Sequence, residues 1–190
     1  MNLQLITLGP IALATAVVLL VVIFGCLYIQ RRRVTAALRQ RFGTEYERVV
    51  TEHGSERKAQ EKLLDREKRV EKLDIRELDP ADRQRFLEKW KTVQSHFVDS
   101  PAEAVTQANA LVTSLMERRG YPVSDFEQRA ADISVDHPHV TENYRTANAI
   151  ASRRAKGEVG TEDLRTAMIH YRALFDELAQ ETVAAKKEAA

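Results

Sequence analysis

Apolar and polar positions divide this chain into two unequal parts. From Ile11 to Ile29 nearly every position is apolar, no charged side chain occurs anywhere from Met1 to Gln30, and the run stops at Arg31, Arg32 and Arg33. From Val34 onward apolar residues instead recur every three or four positions among charged ones, the period of amphipathic helices. No stretch of useful length alternates with period two and no hairpin dipeptide occurs, so no strands are expected. The predicted class is all-α: an N-terminal transmembrane helix, a helical stalk and an antiparallel helical bundle.

A bilayer core of about 30 Å takes roughly 20 apolar residues as helix. Ile11 to Ile29 nearly supplies them, with Leu3 to Leu8 in reserve. In lipid every backbone polar group must be satisfied internally, so the segment can only be a helix. Gly9 and Pro10 suit a bend or a start near one face, and Gly25 a close packing position. A cleaved secretory signal would place its basic residues before the apolar run and a small-x-small site after it. Here the arginines follow the run, which predicts an uncleaved anchor over 1–30. The same arginines predict that the short N-terminus lies outside and residues 31–190 in the cytosol.

Charge follows the same division. Residues 31–78 hold 14 Lys plus Arg against 10 Asp plus Glu, whereas residues 79–190 hold 15 against 18. The basic end is therefore the membrane end. Arg31, Arg32, Arg33, Arg39 and Arg41 are either ligands for anionic lipid headgroups or topology determinants alone. Cys26, the single cysteine, has no partner for an intrachain disulfide.

Beyond the arginines, Val34, Leu38, Phe42, Tyr46 and Val49 share one helical stripe until Gly54 interrupts it. Ser55 is placed to cap a second stretch, in which Ala59, Leu63, Val70 and Leu73 form a thin apolar seam. So narrow a seam needs a partner helix, in the same chain or coiled with a second copy. Residues 31–78 therefore read as a stalk or as the first hairpin of the bundle.

Residues 79–183 carry the punctuation of a bundle. Asp79 and Pro80 open a helix with Phe86, Trp90, Val93 and Phe97 on one face. Ser100 and Glu103 spell a capping box for a second, with Ala104, Ala108, Leu111, Leu115 and Met116 inward and Gly120 as its stop. Ser124 and Glu127 spell another, with Phe126, Ala130 and Ile133 inward. Asp136 to Pro138 separate that helix from one carrying Val140, Tyr144, Ala147 and Ile150, which runs to about Lys156. After Gly157 and Gly160, Thr161 caps the last helix, whose Leu164, Met168, Tyr171, Leu174, Phe175 and Leu178 make the widest apolar face in the chain. Residues 184–190 should fray.

Three blocks, "LRQRFGTEYERVV", "RGYPVSDFEQRAADISVDHP" and "GTEDLRTAMIHYRALFDEL", resemble a family of uncharacterised bacterial, often actinobacterial, single-pass membrane proteins with a helical cytosolic region. The resemblance covers nearly all of the cytosolic part. It implies a protein of the bacterial inner membrane and brings no catalytic residues with it.

Chemistry has to be sought in the side chains themselves. Asp136, His137 and His139 in "DHPH" are weak candidates for a metal, since two imidazoles and a carboxylate at one helix boundary could converge. The alternative is that Asp136 caps and Pro138 begins a helix. No Glu-x-x-His pair, nucleophile elbow or phosphate-cradling glycine loop occurs, and the bundle is slightly acidic. No cofactor and no nucleic-acid partner are therefore expected. The Arg118/Arg119 and Arg153/Arg154 pairs sit near helix C-termini, where they compensate the dipole. Tyr121, Pro122, Phe126, Arg129 and Asp132 cluster around a loop, either as anchors for a protein partner or as a plug for the end of the bundle. Two functions follow as expectations. One is a membrane-tethered, non-enzymatic adaptor, scaffold or localisation factor touching lipid and a protein partner, with self-association through the 55–73 seam. The other is a ligand-sensing or enzymatic bundle with a pocket at Arg129, Asp132, Asp136 and His137.

Overall fold

In the computed structural model, residues 3–122, 124–154 and 157–180 are described, their side chains from residue 17 onward with residue 18 left aside. The described residues form eight helices and no strand. The chain divides into two compact units, Met1–Gln40 and Arg41–Ala190.

The first unit is helix α1 (Leu3–Phe42), which reaches two residues into the second. Part of the predicted anchor, 1–30, lies outside the described residues. Among the described residues no helix is long and apolar enough to cross a membrane. What is described of the apolar run faces outward on every side: from Leu19 to Ile29 every position is exposed.

The second unit holds α2 (Thr44–His53), α3 (Glu56–Val70), α4 (Pro80–Asp99), α5 (Pro101–Arg118), α6 (Phe126–Asp136), α7 (Pro138–Arg154) and α8 (Thr161–Gln180). Helix α8 is its hub and packs against α4, α5 and α7. Its inward face buries the predicted stripe, Leu164, Met168, Tyr171, Leu174, Phe175 and Leu178. Trp90 stacks on Phe175 with ring centroids 4.7 Å apart, and Tyr144 meets Tyr171 edge-on at 6.5 Å. Such rings bury a large area each and add offset-stacking energy to it.

Residues 41–78 do not stand free as a stalk. Helix α2 packs on α3 and α7, and α3 packs on α6. Tyr46, Val49, Ala59 and Leu63 are fully buried and Val70 nearly so. Ala59, Leu63 and Val70 of the narrow seam thus find partners within their own chain, and Leu73 stays partly exposed.

Helix boundaries follow local chemistry, though not always through the expected residue. The Asp79 side chain accepts a hydrogen bond from the Asp82 amide at 2.8 Å, and Pro80 begins α4. Gly54 ends α2 in the left-handed conformation. Neither Ser55 nor Ser100 caps with its side chain. Pro101, whose fixed φ suits the first turn, begins α5 immediately after Ser100. The cap of α6 is Asp125 rather than Ser124, with the Asp125 carboxylate accepting from the Gln128 amide at 3.0 Å. Replacing Asp125 with Ala should therefore cost about 1 kcal/mol in urea unfolding, and Ser124→Ala only a few tenths.

The predicted frayed tail, 184–190, lies outside the described residues. So do residues 155 and 156, where the helix before Gly157 was expected to end; the described part of α7 stops at Arg154.

Candidate functional site

The strongest polar feature of the second unit is built around one carboxylate. Glu45 lies in the first turn of α2 and is only 4% exposed. Arg48, one turn further on, grips it with two bonds of 2.9 Å, from Nε to Oε2 and from Nη2 to Oε1. Arg66 of α3 reaches Oε1 with Nη1 at 2.8 Å. Arg145 of α7 adds Nη2 to Oε1 at 3.1 Å and Nε to Oε2 at 3.3 Å. Burial alone would push the Glu45 carboxyl up. The Arg48 bonds, the field of Arg145 and the bonds from Arg66 and Arg145 together outweigh it and hold the group at about 2.

The surplus cations are shared outward. Arg48 also binds Glu52 at 2.8 Å, Arg145 binds Glu127 at 2.7 Å, and Arg66 approaches Ser134 Oγ at 3.3 Å. One buried anion thereby ties α2, α3 and α7 together, with α6 joined at the rim. An open cavity of about 540 Å³ adjoins this knot, lined in part by His53, Lys62 and Arg69 and by Asp65 and Asp125. Its charges are mixed, and the deepest of its guanidinium groups, Arg66, is already engaged.

A smaller knot joins α4 to α5. Asp82, 4% exposed, accepts from Arg85 and from Arg118, and Arg118 also lies 3.6 Å from Asp79. Burial raises the Asp82 carboxyl, but the Arg118 bond, the Asp79 contact and the Arg85 bond leave it below the usual range. Arg118 therefore spans to another helix instead of merely facing its own dipole. Arg119 departs further from expectation. It is 1% exposed, donates from Nη1 to the Leu178 carbonyl in the last turn of α8, and bonds the Arg76 carbonyl through Nε. Of the second arginine pair, Arg153 lies 3.8 Å from Asp163 and Arg154 binds Thr106 Oγ1 at 3.1 Å.

The loop-cluster residues pair with different groups, while both histidines of "DHPH" approach one carboxylate oxygen of Glu177. Tyr121 is 3% exposed, belongs to the hydrophobic core and donates its hydroxyl to Asp136 at 3.1 Å. Phe126 is half-buried against Tyr144, with ring centroids 4.8 Å apart, and only Pro122 is exposed. Arg129 donates to the Tyr144 hydroxyl at 3.1 Å and to the Ser124 carbonyl. Asp132 is buried and takes Arg69 of α3 at 2.8 Å and Gln128 at 2.9 Å. His137 is fully buried with Nδ1 3.2 Å from Glu177 Oε1, and the exposed His139 lies 3.2 Å from the same oxygen. Arg129, Asp132, Asp136 and His137 thus each have a partner outside this set. Among the described residues no three His, Cys, Asp or Glu side chains are placed to hold a metal ion.

Of the expected membrane-surface arginines, Arg31, Arg32, Arg33 and Arg39 are exposed in the first unit, with Arg32 over the Tyr28 ring at 4.9 Å. Arg41 belongs to the second unit, is paired with Glu67 of α3 at 2.9 Å and keeps half of its side-chain surface. Tyr171 is buried beside Tyr144, and burial pushes its phenol well up, which keeps it protonated and unfit as a base. One surface is apolar: a shallow groove of about 320 Å³ between α4 and α8, floored by Trp90, Phe97 and Met168 and edged by the exposed Ile169.

Sequence reasoning missed Glu45, Arg66 and Arg145, and it read Arg119 only as a basic residue at its own helix end. The available signal was slight, namely a glutamate in the first turn of a helix and arginines between apolar positions. Comparison of the chain with protein-family models, with curated proteins and with solved structures finds no match.

Proposed function

We propose that this protein is a membrane-tethered, non-enzymatic helical module that holds or localises a protein partner at the cytosolic face of a bacterial inner membrane, its N-terminus outside. The observation that carries this reading is the outward face of α1. Leu19, Val21, Phe24 and Leu27 expose between 50% and 71% of their surface and lie on different sides of the helix. A helix at a protein surface hides one apolar stripe, whereas one that is apolar all round needs an apolar surround such as lipid. Arg31, Arg32 and Arg33 follow immediately, as expected of the cytosolic end.

The second unit supports the adaptor half of the proposal. Two of its cavities are open and lined by charged side chains, and Glu45 and Asp82 are held ionised by arginine, which suits a rigid platform better than proton transfer. The family resemblance of its sequence blocks to single-pass membrane proteins is part of the same proposal.

Fractionation tests the tether. The full chain should stay with membranes through an alkaline carbonate wash, and a chain lacking residues 1–30 should move to the soluble fraction. An alkaline-phosphatase reporter fused after Ala190 should be inactive and a fluorescent protein in its place should be bright. An active phosphatase would reverse the topology, and carbonate release of the full chain would remove the anchor. Turnover by the purified protein, lost on changing His137, would remove the non-enzymatic reading.

A further inference from the structure

Helices α4 and α5 and the connector before α4 enclose an open cavity of about 660 Å³ that gathers more cation than anion. Successive turns of α4 bring Asp82, Arg85, Phe86 and Lys89 to one face, at intervals of three, one and three. Helix α5 adds Ser114, Glu117 and Arg118, and the connector adds Arg76. Four cationic side chains thus face two carboxylates, although residues 79–190 hold 15 Lys plus Arg against 18 Asp plus Glu.

The carboxylates leave most of the cationic donors without an anion. Asp82 is buried, and its two oxygens accept one bond each, Oδ1 from Arg85 and Oδ2 from Arg118. A guanidinium carries five N–H donors, and Arg85 and Arg118 keep 66% and 51% of their side-chain surface. Arg118 reaches Asp79 only at 3.6 Å. Arg76 gives its Nε–H to a neutral acceptor, the Arg118 carbonyl at 3.3 Å, and its backbone amide to the Arg119 carbonyl at 2.9 Å. Lys89 lies over the Phe86 ring at 5.8 Å. Among the described residues no carboxylate is paired with Arg76 or Lys89, and Glu117 takes no ion pair.

We propose that this cavity binds a phosphate group, of a soluble phosphate or of a lipid headgroup, among Arg76, Arg85, Lys89 and Arg118. Arginine forks match the edges of a phosphate bidentately, and an ammonium adds a compact point charge beside them. A phosphate presents three or four oxygens in a tetrahedron, so it can accept from α4, α5 and the connector together. A carboxylate has two oxygens in one plane and is matched by a single fork. Asp82 keeps its own two bonds throughout, so binding does not require the α4/α5 knot to open. It fixes instead the arginines whose outer donors hold the ligand. The volume is in the range of small-molecule sites. Neither the tether nor the adaptor reading is needed for this site.

Calorimetric titration of the full chain with inorganic pyrophosphate, in a mild neutral detergent at low ionic strength, tests the proposal. Saturable binding is expected, and Lys89→Glu should weaken it roughly tenfold. Ser114→Glu brings an anion to the exposed rim without touching the knot and should weaken it to a similar degree. Glu117→Gln removes the opposing charge and should tighten binding roughly threefold. Lys91→Glu makes the same change of net charge on α4 outside the cavity and should leave the affinity within about twofold. Circular dichroism of each variant should match the parent, since all four positions are exposed. Micelles doped with phosphatidic acid separate the two sources. Weaker pyrophosphate binding than in phosphatidylcholine-doped micelles, abolished by Lys89→Glu, supports the site with a lipid headgroup as its ligand; equal binding supports it with a soluble phosphate. No saturable binding, equal weakening by Lys89→Glu and Lys91→Glu, or no tightening in Glu117→Gln overturns the proposal. So does binding unaffected by Lys89→Glu and Ser114→Glu, which would belong to the arginines at 31–33.

Discussion

Glu45→Gln should remove about 3–5 kcal/mol from the stability of the second unit at neutral pH, with α2 and α3 loosening first. The side chain keeps its shape and loses its charge, which leaves Arg48, Arg66 and Arg145 close together without their shared anion. Breaking a buried pair by removing one partner is costly because the remaining charge stays desolvated, and here three charges remain. Arg66 and Arg145 keep only 11% and 14% of their side-chain surface, so water cannot fully replace the carboxylate. Urea unfolding of the full chain in mild detergent reads the effect. The sole tryptophan, Trp90, stacks on Phe175 in the core and supplies the signal. A loss below about 1 kcal/mol would mean that the knot behaves as an ordinary surface network.

The same pair of proteins carries a pH signature. The Glu45 carboxyl falls from an ordinary 4.5 to about 2 on folding, so the native state binds this proton less readily than the unfolded chain. Its contribution, about 3 kcal/mol, is complete above pH 4.5 and is lost as pH falls from there through about 2. The stability gap between parent and Glu45→Gln should therefore be flat from pH 8 to 5 and narrow as pH falls below 4.5. A gap that instead widens on acidification would show that the carboxyl is not held ionised by its arginines.

Gly120→Ala should cost about 3–4 kcal/mol, far more than the same change at Gly54. Both glycines have positive φ, +97° and +65°, so each substitution forces alanine into a left-handed backbone at about 1–2 kcal/mol. Gly54 faces open space. A Cβ on Gly120 would fall 2.2 Å from the carbonyl oxygen of Asp74, which is backbone and cannot swing aside. That close approach exists because the connector between α3 and α4 crosses the end of α5. The Arg76 amide donates to the Arg119 carbonyl at 2.9 Å, and the Arg119 side chain returns a bond to the Arg76 carbonyl. The Gly120 amide to the Glu117 carbonyl and the Tyr121 amide to the Met116 carbonyl, both 3.0 Å, complete the Schellman turn that places Tyr121 in the core. Alanine must displace the connector and loosen this junction. Equal destabilisation at the two glycines would mean that the connector yields freely.

Much of the helix layout was legible because punctuation is local. Asp79 with Pro80, Pro101, Gly54, Gly120 and Pro138 act through their own φ preferences and nearest hydrogen bonds, and each marks a boundary in the structure. Where two local candidates compete, the reading was less secure. Ser124 and Asp125 are adjacent, and the carboxylate, the stronger acceptor, takes the Gln128 amide. The inward faces of α4, α5, α7 and α8 were legible for the related reason that burial on one side imposes a 3.6-residue period on composition.

The polar sites were not legible in this way. Glu45 is indistinguishable in sequence from a solvated helix glutamate, and the arginines that define it lie 3, 21 and 100 residues away. Arg119 has the sequence signature of a basic residue at its own helix end, yet it is buried against the end of α8, 59 residues on. Likewise the 59–73 seam announces that it needs a partner and cannot say which. Tyr121, which the sequence leaves as either a partner anchor or a plug, is placed in the core by the turn at Gly120.

By itself, then, the sequence determined the helical class, the uncharged apolar segment with arginines at its end, the main helix boundaries and the residues that face inward. Each of these depends on chain neighbours or on a periodicity within one element. The tertiary structure alone decided that residues 41–78 fold onto α6 and α7, that Glu45 and Arg119 are interior, and that Asp136 takes the Tyr121 hydroxyl while His137 and His139 approach Glu177. Those outcomes depend on which helix faces meet across long stretches of chain, and a charged side chain carries no local mark of the counter-charge that packing will bring to it.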